Sequence, residues 1–191
     1  MHPFRQFIHN YTMISDAEWA IVEKHLVRME VKKETMILEE GKICRHLYFL
    51  ESGLLRFFIL KNGNDITKYF TDIPYCFTSI QSFEAQIPAK ESIETLEDTV
   101  LWAMTSENVR SLFSLPSWNT FARKLIQEVQ TYTDEILEEM QTETAENRYK
   151  KMLFEHDPLL QRVPLKHIAS YLGIAPQSLS RIRKSTMTKR T

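Results

Sequence analysis

The sequence predicts an α+β protein: a β-barrel, one long helix and a pair of short C-terminal helices. Three observations carry that prediction. Short β-favouring runs are closely spaced between residues 35 and 104, an apolar heptad runs from Trp118 to Ile136, and Pro158 to Thr191 contains no Asp or Glu. Of 191 residues, 43% are hydrophobic and 26% charged, an ordinary balance for a folded globular chain. No apolar run approaches the ~20 residues that a membrane helix needs. The N-terminus lacks the basic-then-apolar order of a signal peptide, so a cytoplasmic location without a membrane partner is expected. Cys44 and Cys76 are too few and too far apart for a disulfide framework or a metal site.

Within the barrel, Asn62-Gly63 separates Leu54–Leu60 from Ile66–Phe70. Asn-Gly between β-favouring runs signals a tight hairpin, because a type I′ turn needs positive φ at both central residues. Further strands are expected at Thr35–Leu38, His46–Leu50, Glu91–Leu96 and Thr99–Met104, with turn residues between them, the pattern of a sandwich or barrel. Ahead of them, Ser15-Asp16 can cap a helix that buries Trp19, Ile21, Val22 and Leu26. Behind them, Ser106 can cap a short turn through Leu112 and Phe113, and Ser117 opens a long helix from about Trp118 to Gln141.

Along that helix Trp118, Ala122, Leu125, Val129, Tyr132 and Ile136 follow at steps of 4, 3, 4, 3 and 4. Such a heptad seam buries its stripe against a partner helix, here a second subunit, or else against the chain's own barrel. A second row, Phe121, Ile126, Leu137 and Met140, could pack on the barrel while the first faces the partner.

The acid-free C-terminal stretch carries seven basic residues: Arg162, Lys166, Arg181, Arg183, Lys184, Lys189 and Arg190. The rest holds 17 basic against 25 acidic residues, a net −8. A basic segment on an acidic body suits a nucleic-acid-binding appendage, although a merely solvated tail reads the same on charge alone. The local pattern is more specific. Ile168, Ala169 and Leu172 give one short helix an apolar face, and Gly173 ends it where a left-handed residue is wanted. Ala175 precedes a second helix, with Pro176 in its first turn, where a missing N–H costs nothing. Leu179 and Ile182 then face inward, which leaves Gln177, Ser178, Ser180, Arg181 and Lys184 pointing elsewhere. This is the layout of a helix-turn-helix whose second helix enters the major groove. Arg can bond two acceptors of guanine and Gln can pair with adenine, while Ser180 and Lys184 suit phosphates. A helical hairpin with a basic face and no DNA role is the alternative.

Barrel, long helix and helix-turn-helix in this order resemble the catabolite activator and fumarate-nitrate regulator (Crp/Fnr) superfamily. The residues that carry the resemblance are Glu40-Gly41-Lys42 and Leu47 to Arg56, Ile93 to Asp98, and Ile168 to Ile182. In flavour the chain is similar to the short regulators of Bacteroidetes-type bacteria. The resemblance implies a cyclic-nucleotide-binding-like jelly-roll barrel with N-terminal helices over 1–116, a dimerisation helix over 117–141 and a winged-helix-like DNA-binding domain over 142–191. It implies DNA contacts from Ala175, Pro176, Gln177, Ser178, Ser180, Arg181, Arg183 and Lys184, with base readout by Gln177 and Arg181. The expected partners are double-stranded DNA, a second copy of the chain, RNA polymerase and an unidentified small-molecule effector; no cofactor is expected.

One departure bears on the effector. Cyclic-nucleotide binders of this family use a Gly-Glu pair, then an Arg-Ser or Arg-Thr pair roughly ten residues on. Here no Gly lies between Gly63 and Gly173 and no Arg between Arg56 and Arg110, and Ala89-Lys90 stand where the Arg pair would fall. A buried cyclic phosphate without a guanidinium fork would be poorly compensated. Tyr69, Phe77, Ser79, Phe83 and Lys90 are candidates to line a different pocket, with plain barrel core as the alternative for the aromatics. An iron–sulfur cluster would need more cysteines. The histidines (His2, His9, His25, His46, His156 and His167) are too scattered for a metal-dependent oxygenase, so an enzyme is not expected. A cyclic-nucleotide-fold module with a non-functional DNA-binding end is the competing function.

Overall fold

The computed structural model describes residues 1–155 and 157–188; His156, Lys189 and Arg190, counted above, lie outside the described residues. The chain opens with α1 (Pro3–His9) and α2 (Asp16–Glu23), then β1 (Val27–Val31), β2 (Met36–Leu38), β3 (His46–Ser52), β4 (Leu55–Lys61), β5 (Asn64–Thr71) and β6 (Tyr75–Phe77). Next come α3 (Ile80–Ala85), β7 (Ser92–Thr95), β8 (Thr99–Thr105), α4 (Ser106–Leu112) and the long α5 (Pro116–Thr142). Four helices close the described chain: α6 (Ala145–Glu155), α7 (Asp157–Arg162), α8 (Leu165–Leu172) and α9 (Pro176–Thr188). The strands form two four-stranded sheets, in the orders β1-β8-β3-β6 and β2-β7-β4-β5.

The chain divides into two compact units, residues 1–56 with 70–131 and residues 57–69 with 132–191. The division between the units falls inside α5, and residues 57–69, most of the β4–β5 hairpin, group with the C-terminal helices.

The first unit is held by an aromatic core. Tyr48, Phe49 and Leu50 on β3 are all buried, so the strand is covered on both faces and reads as a continuous apolar run rather than an alternating one. One face stacks Tyr48 on Phe77, its register partner on β6, with ring centroids 5.0 Å apart. The other brings Phe49 against Phe4 (4.9 Å) and Phe7 (5.4 Å) of α1. Phe4 also meets Trp118 and Phe121 of α5 at 6.2 and 6.0 Å, so α1 is a wedge between sheet and helix. Between β4 and β7, Arg56 is only 2% exposed and its Nε donates to Glu94 Oε1 at 2.5 Å. Burying such a charge costs desolvation that paired hydrogen bonds must offset.

Local details match the sequence in part. Ser15 and Glu18 form the capping box of α2, whose buried residues are Trp19 and Val22; Ile21 is exposed, and the helix stops before Leu26. Thr105, not Ser106, caps α4: its hydroxyl accepts from the Asn108 N–H at 3.2 Å. The β4–β5 turn has φ of +53° at Asn62 and +77° at Gly63, the signs a type I′ turn requires. Strands β1 and β6 and helix α3 were not expected, and α1, one of the N-terminal helices the resemblance implies, was not placed on particular residues. Among the described residues after Thr142 every element is helical, so the expected wing is not formed by them.

Candidate nucleic-acid interface

The C-terminal pair α8 and α9 is set by one glycine. Gly173 adopts φ +70°, its N–H donates to the Ser170 carbonyl at 3.1 Å, and the Ile174 N–H reaches back to the Ala169 carbonyl at 3.0 Å. These two bonds satisfy carbonyls that the end of α8 would otherwise leave open. Across the turn, the Ala175 carbonyl accepts from the N–H groups of Ser178 (2.9 Å) and Leu179 (3.2 Å), which launches α9 with Pro176 as its first residue. Ile168, Ala169, Leu172 and Leu179 are each no more than 1% exposed. Ala169, the smallest of them, is fully buried. Ile182 is half-buried beside them.

Packing those residues inward leaves Ala175, Pro176, Gln177, Ser180, Arg181 and Lys184 exposed. Gln177, Arg181 and Lys184 follow at i, i+4 and i+7, so they share one helix face. Ser180 Oγ donates to the Pro176 carbonyl at 3.1 Å. Ser178 and Arg183 are half-buried and thus less available than expected. Neither α8 nor α9 contains a carboxylate, so nothing on these helices opposes an anion.

Two supports of this pair went unread in the sequence. Arg148 of α6 donates to the Leu172 carbonyl at 2.6 Å, placing a cation at the negative end of α8. Tyr171 turns toward the last turns of α5, where burial first, then the neighbouring Tyr132 and Glu139, push its phenol up to about 12. An Arg in a Glu-rich stretch and a Tyr on an amphipathic helix carry no motif that could have announced either contact.

The heptad seam divides. Trp118 is 1% exposed and packs on Phe4 and Phe121, so its expected place in a subunit interface is corrected to the core of the first unit. Ala122, Leu125, Val129 and Ile136 are half-buried and Tyr132 is 53% exposed. In the second row only Phe121 packs inward; Ile126, Leu137 and Met140 are 54–64% exposed. An open groove of about 410 Å³ runs beside Ala122, Arg123 and Ile126, flanked by Phe113.

The residues expected to line an effector pocket lie in different settings. Phe77, Ser79 and Phe83 are buried core, Lys90 is exposed, and Tyr69 stacks on Phe57 at 4.2 Å in the second unit. Neither that groove nor a void of about 10 Å³ around Phe4, Tyr48, Phe49 and Trp102 is lined by any of the five. Near the expected phosphate position, the Ala89 N–H donates to the Lys42 carbonyl and its own carbonyl accepts from the Gly41 N–H, both at 2.8 Å. Among the described residues no group of His, Cys, Asp and Glu could hold a metal, and no helix is long and apolar enough to cross a membrane.

The two-sheet roll and the helix after it define a class. Residues 28–115 match the family model of the cyclic nucleotide-binding domain. Three solved structures share the fold over most of the chain. One, from Eubacterium rectale, is described as a Crp/Fnr-family transcriptional regulator; it is 20% identical, with a TM-score of 0.72 over 92% of this chain and 85% of that one. The catabolite activator protein of Thermus thermophilus is 20% identical, with a TM-score of 0.58 over 94% and 86%. FixK2 of Bradyrhizobium japonicum is 19% identical, with a TM-score of 0.70 over 86% and 85%. The chain thus shares the fold of these solved structures. No curated protein sequence matches the chain.

Proposed function

We propose that this chain is a DNA-binding transcription regulator of the Crp/Fnr type, which acts as a homodimer and does not respond to cyclic AMP. The observation that carries the reading is the exposed row Gln177, Arg181 and Lys184 on α9, a carboxylate-free helix anchored from behind by Leu179. With α8 and α9 as a helix-turn-helix, α9 enters the major groove, Gln177 and Arg181 meet base edges and Lys184 meets phosphate. Dimerisation along α5 covers the exposed Ile126, Leu137 and Met140, which otherwise leave apolar surface in water. Independence from cyclic AMP is supported by the window from Phe77 to Ser92. It brings no guanidinium, and the Ala89 backbone is already bonded on both sides. The roll retains a small-molecule effector only of another chemistry.

Selection of duplexes from random DNA by the full-length protein tests this reading. We expect a twofold-symmetric site with half-sites about one helical turn apart, roughly 10 base pairs, recovered equally with and without cyclic AMP. Recovery of no preferred sequence, even at low salt, favours the competing reading of a binding module with an inactive C-terminal end.

A further inference from the structure

The turn between β4 and β5 sets two reactive groups side by side. Residues 60–65 are all exposed, and the two turn residues are Asn62 and Gly63. Among the described residues neither the Asn62 side-chain amide nor the Gly63 N–H has a hydrogen-bond partner. A two-residue hairpin turn accounts for the second of these, because its closing bonds join the flanking residues rather than the central pair. A Cβ built on Gly63 would meet nothing within 4 Å, so nothing is packed against that side of the turn. Asn119 and Asn147 are placed differently. Their amides donate to the Phe113 and Leu115 carbonyls and to Glu143, and Thr120 and Arg148, not glycine, follow them.

A backbone nitrogen that follows an asparagine is a nucleophile within reach of that side chain's carbonyl carbon. Glycine exposes this nitrogen most, having no Cβ beside it and wide freedom of φ and ψ. In the reaction the Gly63 nitrogen bonds to Asn62 Cγ and the Cγ–Nδ2 bond breaks. The departing nitrogen takes, through solvent, the proton that Gly63 gives up, and leaves as ammonia. Water then opens the cyclic imide. Attack at Cγ leaves an aspartate, and attack at the main-chain carbonyl leaves an isoaspartate. No electrons are transferred, and water is the one co-reactant.

We propose that Asn62-Gly63 is a self-modification site, at which the exposed, unbonded amide of Asn62 and the unbonded nitrogen of Gly63 close this imide in the folded protein. Each product places a new carboxylate in the unit that also holds α8 and α9, helices that carry none. The isoaspartate adds a methylene to the main chain as well, which a tight two-residue turn does not accommodate. The hairpin therefore changes with the age of the molecule.

The test holds full-length wild type, folded, in warm neutral buffer, beside the same chain unfolded in urea and beside folded Asn62→Gln. Samples taken over time are digested and mapped by mass spectrometry, and isoaspartate is read by methyl transfer from an isoaspartate-specific carboxyl methyltransferase. We expect the peptide that begins at Asn62 to gain about 1 Da, with the fragment ions placing the gain at residue 62 and not at Asn64. It should do so before the peptides with Asn10, Asn108, Asn119 or Asn147, and within about tenfold of the unfolded rate, as an exposed turn with little local stability allows. Asn62→Gln, whose longer side chain disfavours the ring, should show no gain at that position. A folded protein that stays unmodified after the unfolded chain has converted shows that the turn protects Asn62, and overturns the proposal. A gain of the same size in Asn62→Gln places the chemistry at Asn64 and overturns it too.

Discussion

The two halves of α5 share one apolar periodicity and meet different fates. In the first half Trp118 and Phe121 are each 1% exposed, enclosed by α1 and the sheet of their own unit. In the second half Leu137 and Met140 are 54% and 60% exposed, and Glu139 is paired with Lys151 of α6 at 2.6 Å. A heptad reports that a stripe will be buried but not by what, because the same spacing suits a neighbouring sheet or a second helix. The first half is satisfied within the chain. The second half is where a partner belongs.

Substitutions that strike the two halves separately should sharpen this contrast. Phe4→Ala removes the wedge beneath the first half and should destabilise the fold by ~3–5 kcal/mol, the cost of deleting a buried ring. Chemical denaturation measures it, and a loss below about 1 kcal/mol would mean that the aromatic cluster repacks. Leu137→Lys strikes the second half. It should leave the unfolding free energy nearly unchanged and raise the dimer dissociation constant at least about tenfold, since an apolar side chain no longer finds burial. Sedimentation reads that shift, and an unchanged constant would move the dimer contact elsewhere.

Gly53→Ala tests the roll away from α5. Gly53 sits at φ +121°, and a Cβ there would lie 2.8 Å from the Thr99 Cα, so we expect about 1–3 kcal/mol of destabilisation from strain and crowding. A variant as stable as wild type would show that the β3–β4 and β7–β8 turns can separate freely. The smallest effect concerns His2, whose Nδ1 accepts from the Phe4 N–H at 3.1 Å and therefore must be unprotonated. Burial lowers its pKa, despite the nearby Glu23 and Glu51 carboxylates that act to raise it. A base with a lowered folded-state pKa binds fewer protons folded than unfolded. Its stabilisation is complete above the unfolded value near 6.5 and is lost as pH falls through the folded value. Stability should therefore decline below about pH 6.5 more steeply in wild type than in His2→Asn, which can still cap but cannot titrate. His46 is shifted downward too and leaves part of the slope in the variant.

What the sequence made legible follows from where the signals are local. Asn62-Gly63, the Ser15 cap and the Gly173 turn depend on a few adjacent residues whose φ or side-chain chemistry admits few alternatives, and each stands where the sequence put it. The residues of helix α1 could not be placed because seven residues are too few to show a period, and its importance lies in contacts with β3 and α5 far along the chain. Trp118 was misassigned for a related reason: periodicity cannot tell a core tryptophan from an interface one. Two aromatics expected to line an effector pocket stack on rings the sequence did not single out for it, Phe77 on Tyr48 and Tyr69 on Phe57, and no sequence period announces such pairings. The bonds of Ser170 Oγ to the Thr67 N–H and the Asp65 carbonyl carry no signature at all, since they exist only once a strand is brought to it.

The central claim is that α9 reads DNA with Gln177 and Arg181. It is tested most directly by measuring the affinity of wild type and Arg181→Ala for a selected duplex and for a scrambled one across a range of salt. For wild type, log Kd should rise steeply with log salt, by close to one unit of slope per phosphate contact. Arg181→Ala should lose ~1–3 kcal/mol on the selected duplex only, which collapses the preference between the two. Equal affinity of wild type and variant for the selected duplex, with sequence preference intact, would contradict the account.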